Sequence, residues 1–164
     1  MARLGNIVNS VGKTMTKSPT IVASLVLRDF GDDPQIVTRL LNHEPTRSGL
    51  RGDHLLDPMG RVTARIIRRT YWSLHSGAPK TAPLNQHVAD ILGQLTDSYA
   101  AFYDLPKGTT ITLRCTVIPE GDLPLLRVDP ESLRSLGQIG AGLEIDVIEV
   151  DGPADPPPPA QDAG

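Results

Sequence analysis

The sequence has a single cysteine and only six aromatic side chains among 164 residues. It also lacks any apolar run near the roughly 20 residues needed to cross a bilayer. Each shortage excludes something. One thiol, Cys115, cannot form an internal disulfide framework or a cysteine-built zinc site, so a reducing compartment is the expected home. Near the N-terminus, Ile7, Val8 and Val11 are interrupted by Asn, Ser and Gly and make no secretory h-region. A cytoplasmic location without a membrane partner is expected. So few aromatics require an aliphatic core of Leu, Ile, Val and Ala. Catalytic signatures are missing as well: no phosphate loop of the Walker type, no G-x-G-x-x-G, no G-x-S-x-G and no H-E-x-x-H. The four histidines, His43, His54, His75 and His87, never stand three or four residues apart. No cofactor is implied, and the chain reads as more a binding protein than an enzyme.

What is abundant is proline and glycine, fifteen of each, unevenly placed. Pro156–Pro159 form a run in a segment that can neither continue a helix nor donate to a ladder. Residues 151–164 are therefore expected to be a disordered proline-rich tail, and residues 1–19, without sustained periodicity, a flexible N-terminal arm. A single α+β domain is expected over 20–150. Net charge is −3, but it is polarised. Seven arginines face three carboxylates between Arg39 and His75, a balance of +4, whereas five basic and thirteen acidic residues follow, a balance of −8.

Ile21, Ala23, Leu25 and Leu27 alternate with Val22, Ser24, Val26 and Arg28, apolar enough for a central strand. Asp33-Pro34 then supplies a helix N-cap and first residue, Ile36, Val37, Leu40 and Leu41 an apolar stripe, and Asn42 a left-handed terminator. A weak strand is expected between Thr46 and Gly52, and a strand over Thr70–His75, where Thr70, Trp72 and Leu74 alternate with Tyr71, Ser73 and His75. Leu84, Val88, Ile91, Leu92, Leu95 and Phe102 read as one long amphipathic helix, with Gly93 inside it for close packing on the sheet. Ile111, Leu113, Cys115 and Val117 make the cleanest strand, with Cys115 a small buried hydrophobe on its apolar face. Leu125–Val128 reads as a short strand, Asp129-Pro130 as a second cap before a short helix, and Leu143–Val147 as a last strand. The fold class expected is α+β: a mainly antiparallel sheet with helices on one face. Its core is ferredoxin-like, a split βαβ, with a C-terminal β-α-β extension.

Two segments are chemically dense. His43 to His54 carries two histidines, two carboxylates, two arginines and two hydroxyls; arginine suits bidentate capture of carboxylate or phosphate, and glycine lets a backbone approach an anion. The plainer reading is a solvated connection, and a metal held by His43, Asp53 and His54 is a remote one. Arg61, Arg65, Arg68 and Arg69 beside Tyr71 and Trp72 resemble a charge-plus-stacking surface for single-stranded nucleic acid. Trp72, however, shares a face with Leu74 and fits a core as well. Candidate binding residues are Thr46, Arg47, Ser48, Arg51, Asp53, His54, Arg65, Arg68, Arg69 and Trp72.

Phe30-Gly31-Asp32-Asp33-Pro34 between strand and helix, Glu44-Pro45-Thr46-Arg47-Ser48 with Arg51-Gly52-Asp53, and Tyr71-Trp72-Ser73-Leu74 before a helix together resemble a family of small bacterial proteins. That family is known only as domain of unknown function 4279. The resemblance runs from Ile21 to Val150, and the basic Arg61–Arg69 stretch and the proline tail depart from it. It implies a stand-alone α+β domain without an established reaction, and for some members an immunity-type role beside a protein partner. The leading expectation is a non-catalytic protein-interaction module, with the Pro45–His54 loop and the acidic C-terminal half meeting an unidentified partner. An arginine-rich anion or nucleic-acid binder is the alternative. A hydrolase-type enzyme using His43, Glu44, Asp53 or His54 is a weaker third.

Overall fold

The computed structural model describes residues 18–148, so most of the expected arm and the whole proline-rich tail lie outside the described residues. In chain order the elements are β1 (Thr20–Arg28), α1 (Gln35–Leu41), β2 (Arg47–Gly49), β3 (His54–Leu56), β4 (Val62–Ile66) and β5 (Tyr71–His75). Then come α2 (Leu84–Gln94), a 3₁₀ helix (Thr96–Asp104), β6 (Thr110–Ile118), α3 (Pro130–Gln138) and β7 (Gly142–Val147).

β1 is central because it is apolar on both faces for much of its length. It pairs antiparallel with β5 on one side and with β6 on the other. β2 adds antiparallel to the outer edge of β5, and β7 adds parallel to β6, giving a five-stranded sheet in the order β2-β5-β1-β6-β7. β3 and β4 form a separate two-stranded sheet. The register sets Leu25 opposite Leu74 and Leu113, and Ala23 opposite Cys115. Those side chains join one hydrophobic cluster with Val37 and Leu41 of α1, Val88 and Ile91 of α2, Phe102 and Leu136. The helices thus share one face of a mixed α+β fold. The opposite face carries Ser24, His75 and Arg114, and Arg114 pairs with Glu144 and Asp146 of β7 at 3.2 and 3.6 Å.

The caps follow local chemistry. Asp33 accepts from the Gln35 amide at 2.9 Å, and Asn42 closes α1 in the left-handed region at φ 48° and ψ 41°. Asp129 accepts from the Ser132 amide at 2.8 Å, with Pro130 as the first residue of α3. Cys115 is buried, which pushes its thiol pKa up to about 11.

Three expectations need correction. The long helix through Phe102 is broken at Leu95 (φ −108°, ψ 4°). There the Thr96 hydroxyl donates to the Leu92 and Gly93 carbonyls, and the Tyr99 hydroxyl also donates to Leu92. Side chains thereby take up the last carbonyls of α2 and the chain tightens into a 3₁₀ run. Gly93 does not mark close packing, since a Cβ there would meet nothing within 4 Å. Leu125–Val128 forms no strand, so the C-terminal extension is α3–β7 rather than β-α-β. Leu126 and Val128 do pack against the core, so the alternation is real; both sides of β6 are already taken, by β1 and by β7.

Candidate functional site

The candidate residues gather where the β3–β4 hairpin meets the β2–β5 end of the main sheet. Asp57-Pro58-Met59-Gly60 makes the hairpin turn. The Asp57 carboxylate accepts from the amides of Met59 (2.8 Å) and Arg61 (2.9 Å), and Arg61 Nε donates to it at 2.6 Å. Those donors, the Arg61 amide foremost, hold the Asp57 carboxyl below its ordinary pKa. Gly60 takes φ +79°, where a side chain would be strained. Arg61 therefore belongs to the turn.

Three bonds close the base of the hairpin by joining the β2–β3 and β4–β5 connections: Gly52 N to Ile67 O (2.9 Å), Ile67 N to Asp53 O (2.8 Å) and Arg51 N to Thr70 Oγ1 (3.1 Å). Gly49 supplies the fit. A Cβ on Gly49 would lie 2.5 Å from Ile67 Cδ1 and 2.8 Å from Tyr71 Cε1. Only a bare backbone lets those two side chains lie across β2. Leu55, Ile67 and Tyr71 are half-buried and make an apolar seam with a groove on either side.

On the β2 side is a cavity of about 360 Å³ lined by Arg47, Ser48, Asp53, His54 and Asp57. His54 Nδ1 lies 3.0 Å from the Thr63 carbonyl. On the β1 side, Arg65, Arg68 and Arg69 are joined by Arg28. A third, polar cavity of about 370 Å³ brings Arg51, Arg68 and Arg69 beside Asp29 and Asp32. Among the described residues, the side chains of Arg28, Arg47, Arg51, Arg65 and Arg68 have no carboxylate partner within salt-bridge distance.

Nine of the ten candidates are thus brought to one end of the molecule. Thr46 has a structural task there: its Oγ1 accepts from the His75 amide at 2.9 Å and its amide bonds Ser73 O, pinning β2 to β5. Trp72 is the exception. It is fully buried, and its indole N–H donates to Thr38 Oγ1 at 3.1 Å, so it cannot stack on a ligand. Its alternation with Leu74 places both on the core face. His43 and Glu44 lie outside the cavity that holds Asp53 and His54. Among the described residues no group of three or more His, Cys, Asp or Glu side chains is placed to hold a metal ion.

Sequence reasoning missed Arg28, Leu55, Asp57, Ile67 and the lining role of Tyr71. The Asp-Pro-x-Gly turn between two short runs was a usable hairpin signal. Arg28 and Tyr71 carried none, since only the β1–β5 register sets them side by side.

The geometry defines a small α+β domain with a basic, partly apolar hairpin clasped to one end of its sheet. The chain belongs to the family described as domain of unknown function (DUF4279), whose model matches residues 19–149. No curated protein and no solved structure matches it. Among the described residues no helix is long and apolar enough to cross a membrane.

Proposed function

We propose that this protein is a non-catalytic protein-interaction module whose contact surface is the β3–β4 hairpin with the Arg47–His54 segment. One observation carries the reading. Leu56, Met59, Val62 and Ile66 are 51, 79, 70 and 57% exposed on the hairpin, interleaved with arginines. A two-stranded hairpin is marginal by itself in water, and none of its residues belongs to the buried core. Apolar side chains held out among arginines are the composition of an interface centre, where Met and Arg are enriched. The partner that fits is a protein with an apolar patch rimmed by acidic side chains.

The reading extends to architecture. The order β2-β5-β1-β6, with β5 and β6 antiparallel to β1 on either side and joined through α2, supports a ferredoxin-like split-βαβ core. In that arrangement the hairpin is an insertion between the second and third strands of the core.

The test is a pull-down from host lysate at physiological salt, comparing the unaltered chain with Arg47→Ala/Arg51→Ala and with Met59→Asp/Val62→Asp. A stoichiometric protein retained by the first and lost with both variants is the expected result. Retention by both variants would move the interface off the hairpin.

A further inference from the structure

The two grooves beside the Leu55–Ile67–Tyr71 seam differ in charge. The β2-side groove mixes Arg47 and His54 with Asp53 and Asp57. The β1-side groove, about 310 Å³, is bordered by Arg28, Arg65, Arg68 and Arg69, and no carboxylate lines it. Among the described residues one carboxylate comes within salt-bridge distance of any of the four: Asp29 Oδ1, 3.9 Å from Arg69 Nε. The other oxygen of that carboxylate accepts from the Thr110 hydroxyl at 3.0 Å.

These arginines come from three places, the last residue of β1, the penultimate residue of β4 and the β4–β5 connection. Arginine keeps its charge at any physiological pH, so folding alone gains nothing by converging four of them on one groove. Such convergence answers to an anion from outside. Four arginines exceed the needs of one carboxylate, whereas a phosphate offers more oxygens and more charge for bidentate contacts. The rest of its lining is apolar: Leu55, Ile66, Ile67 and Tyr71. A bare inorganic ion would leave that lining uncovered; a flat ring carrying the phosphate would cover it.

We infer that this groove is a nucleotide-binding site, with the phosphate held by Arg28, Arg65 and Arg68 and the base laid against Tyr71 and Ile67. The volume is at the small end of ligand sites, which fits one nucleotide rather than a dinucleotide. The inference goes beyond the partner surface, with which the groove shares Leu55, Arg65 and Ile66 of the hairpin, and it does not depend on a protein partner. A free mononucleotide and one residue of a single strand offer the same chemistry.

Calorimetric titration of the full chain with adenosine monophosphate, adenosine, inorganic phosphate and a short single-stranded oligonucleotide decides it. The monophosphate should bind at least tenfold more tightly than adenosine or phosphate alone. Arg65→Gln/Arg68→Gln should weaken it tenfold or more with the unfolding midpoint unchanged, and Tyr71→Leu should erase its advantage over phosphate. An oligonucleotide that binds more tightly than the monophosphate, with steep salt dependence, would assign the site to nucleic acid; a weaker one would assign it to the free nucleotide. Equal affinity for monophosphate and phosphate, or no effect of the arginine pair, overturns the inference. Because no protein partner enters this experiment, its failure leaves the pull-down result standing, and the reverse also holds.

Discussion

The five-stranded sheet and the β3–β4 hairpin use the same kinds of residue to opposite ends. In β1, Ile21, Ala23, Leu25 and Leu27 are all buried, and the arginine that ends the strand sits at its margin. In the hairpin, leucine, valine and isoleucine stand in solvent, and of its two arginines Arg61 pairs with Asp57 in the turn while Arg65 meets no carboxylate among the described residues. The sheet converts apolar area into stability; the hairpin keeps its apolar area available. What separates them is cover: the sheet has helices on one face, whereas the hairpin rests on the seam at Gly49, its base closed by three hydrogen bonds between its own two connections.

The sharpest test of that division is Trp72→Ala. It removes the largest fully buried side chain and orphans the Thr38 hydroxyl, and should cost about 3–5 kcal/mol in urea unfolding. A cost below about 1 kcal/mol would mean that the core is not where the contrast places it. Gly49→Ala comes next. Its Cβ would collide with Ile67 and Tyr71, so it should destabilise by about 1–3 kcal/mol. Amide exchange should then accelerate at Gly52 and Ile67 while β1 stays protected; equal acceleration in both would erase the distinction between hairpin and sheet.

Acidification should act mainly on the sheet side. Burial lowers the pKa of His87, against smaller opposing effects of Asp90 and the Pro79 backbone; its Nδ1 lies 3.0 Å from Ser76 Oγ and its buried Nε2 has no partner among the described residues. Burial, and secondarily Arg47, lowers that of His75. Both are held neutral by the fold, so the unfolded chain binds more protons once the pH falls below the unperturbed value of 6.5. Stability should be full above that value and fall below it. The carboxylates of Asp57 and Asp129 are shifted down instead, so their contribution persists until the pH drops through the unfolded value of 3.8. Thermal midpoints at pH 7.5, 5.5 and 4.5 follow this; a midpoint rising on acidification would contradict it. The smallest effect is Gly93→Ala, expected to stabilise by about 1 kcal/mol because helix propensity improves and the new methyl meets nothing.

Much of the sheet was legible because its signals are local. β1 and β6 show alternation over nine residues each, and both Asp-Pro caps act through carboxylates two or three residues from the amides they accept. β2 was legible as a weak extended piece. The hairpin was not, because His54-Leu55-Leu56 is three residues long and a bulge upsets its register with β4. Arg47 to His54 could be grouped from sequence since they are contiguous, and Arg65 to Arg69 likewise. That the two groups share one end of the molecule depends on Thr46 pinning β2 to β5 and on Gly49 admitting Ile67, both matters of tertiary fit. The 3₁₀ break at Leu95 was hidden because the apolar spacing runs through it, while hydroxyls at Thr96 and Tyr99 decide the geometry.

The position of β1 also has a bearing on synthesis. Its register joins Ser24 to His75 and Thr20 to Ile118. This apolar strand leaves the ribosome before the other described strands, yet its second neighbour is complete only after another ninety residues or so have followed. Both edges of β1 are open templates until β5 is complete at His75, and the edge that β6 will cover stays open through the whole interval, an exposed strand edge that invites pairing with other chains.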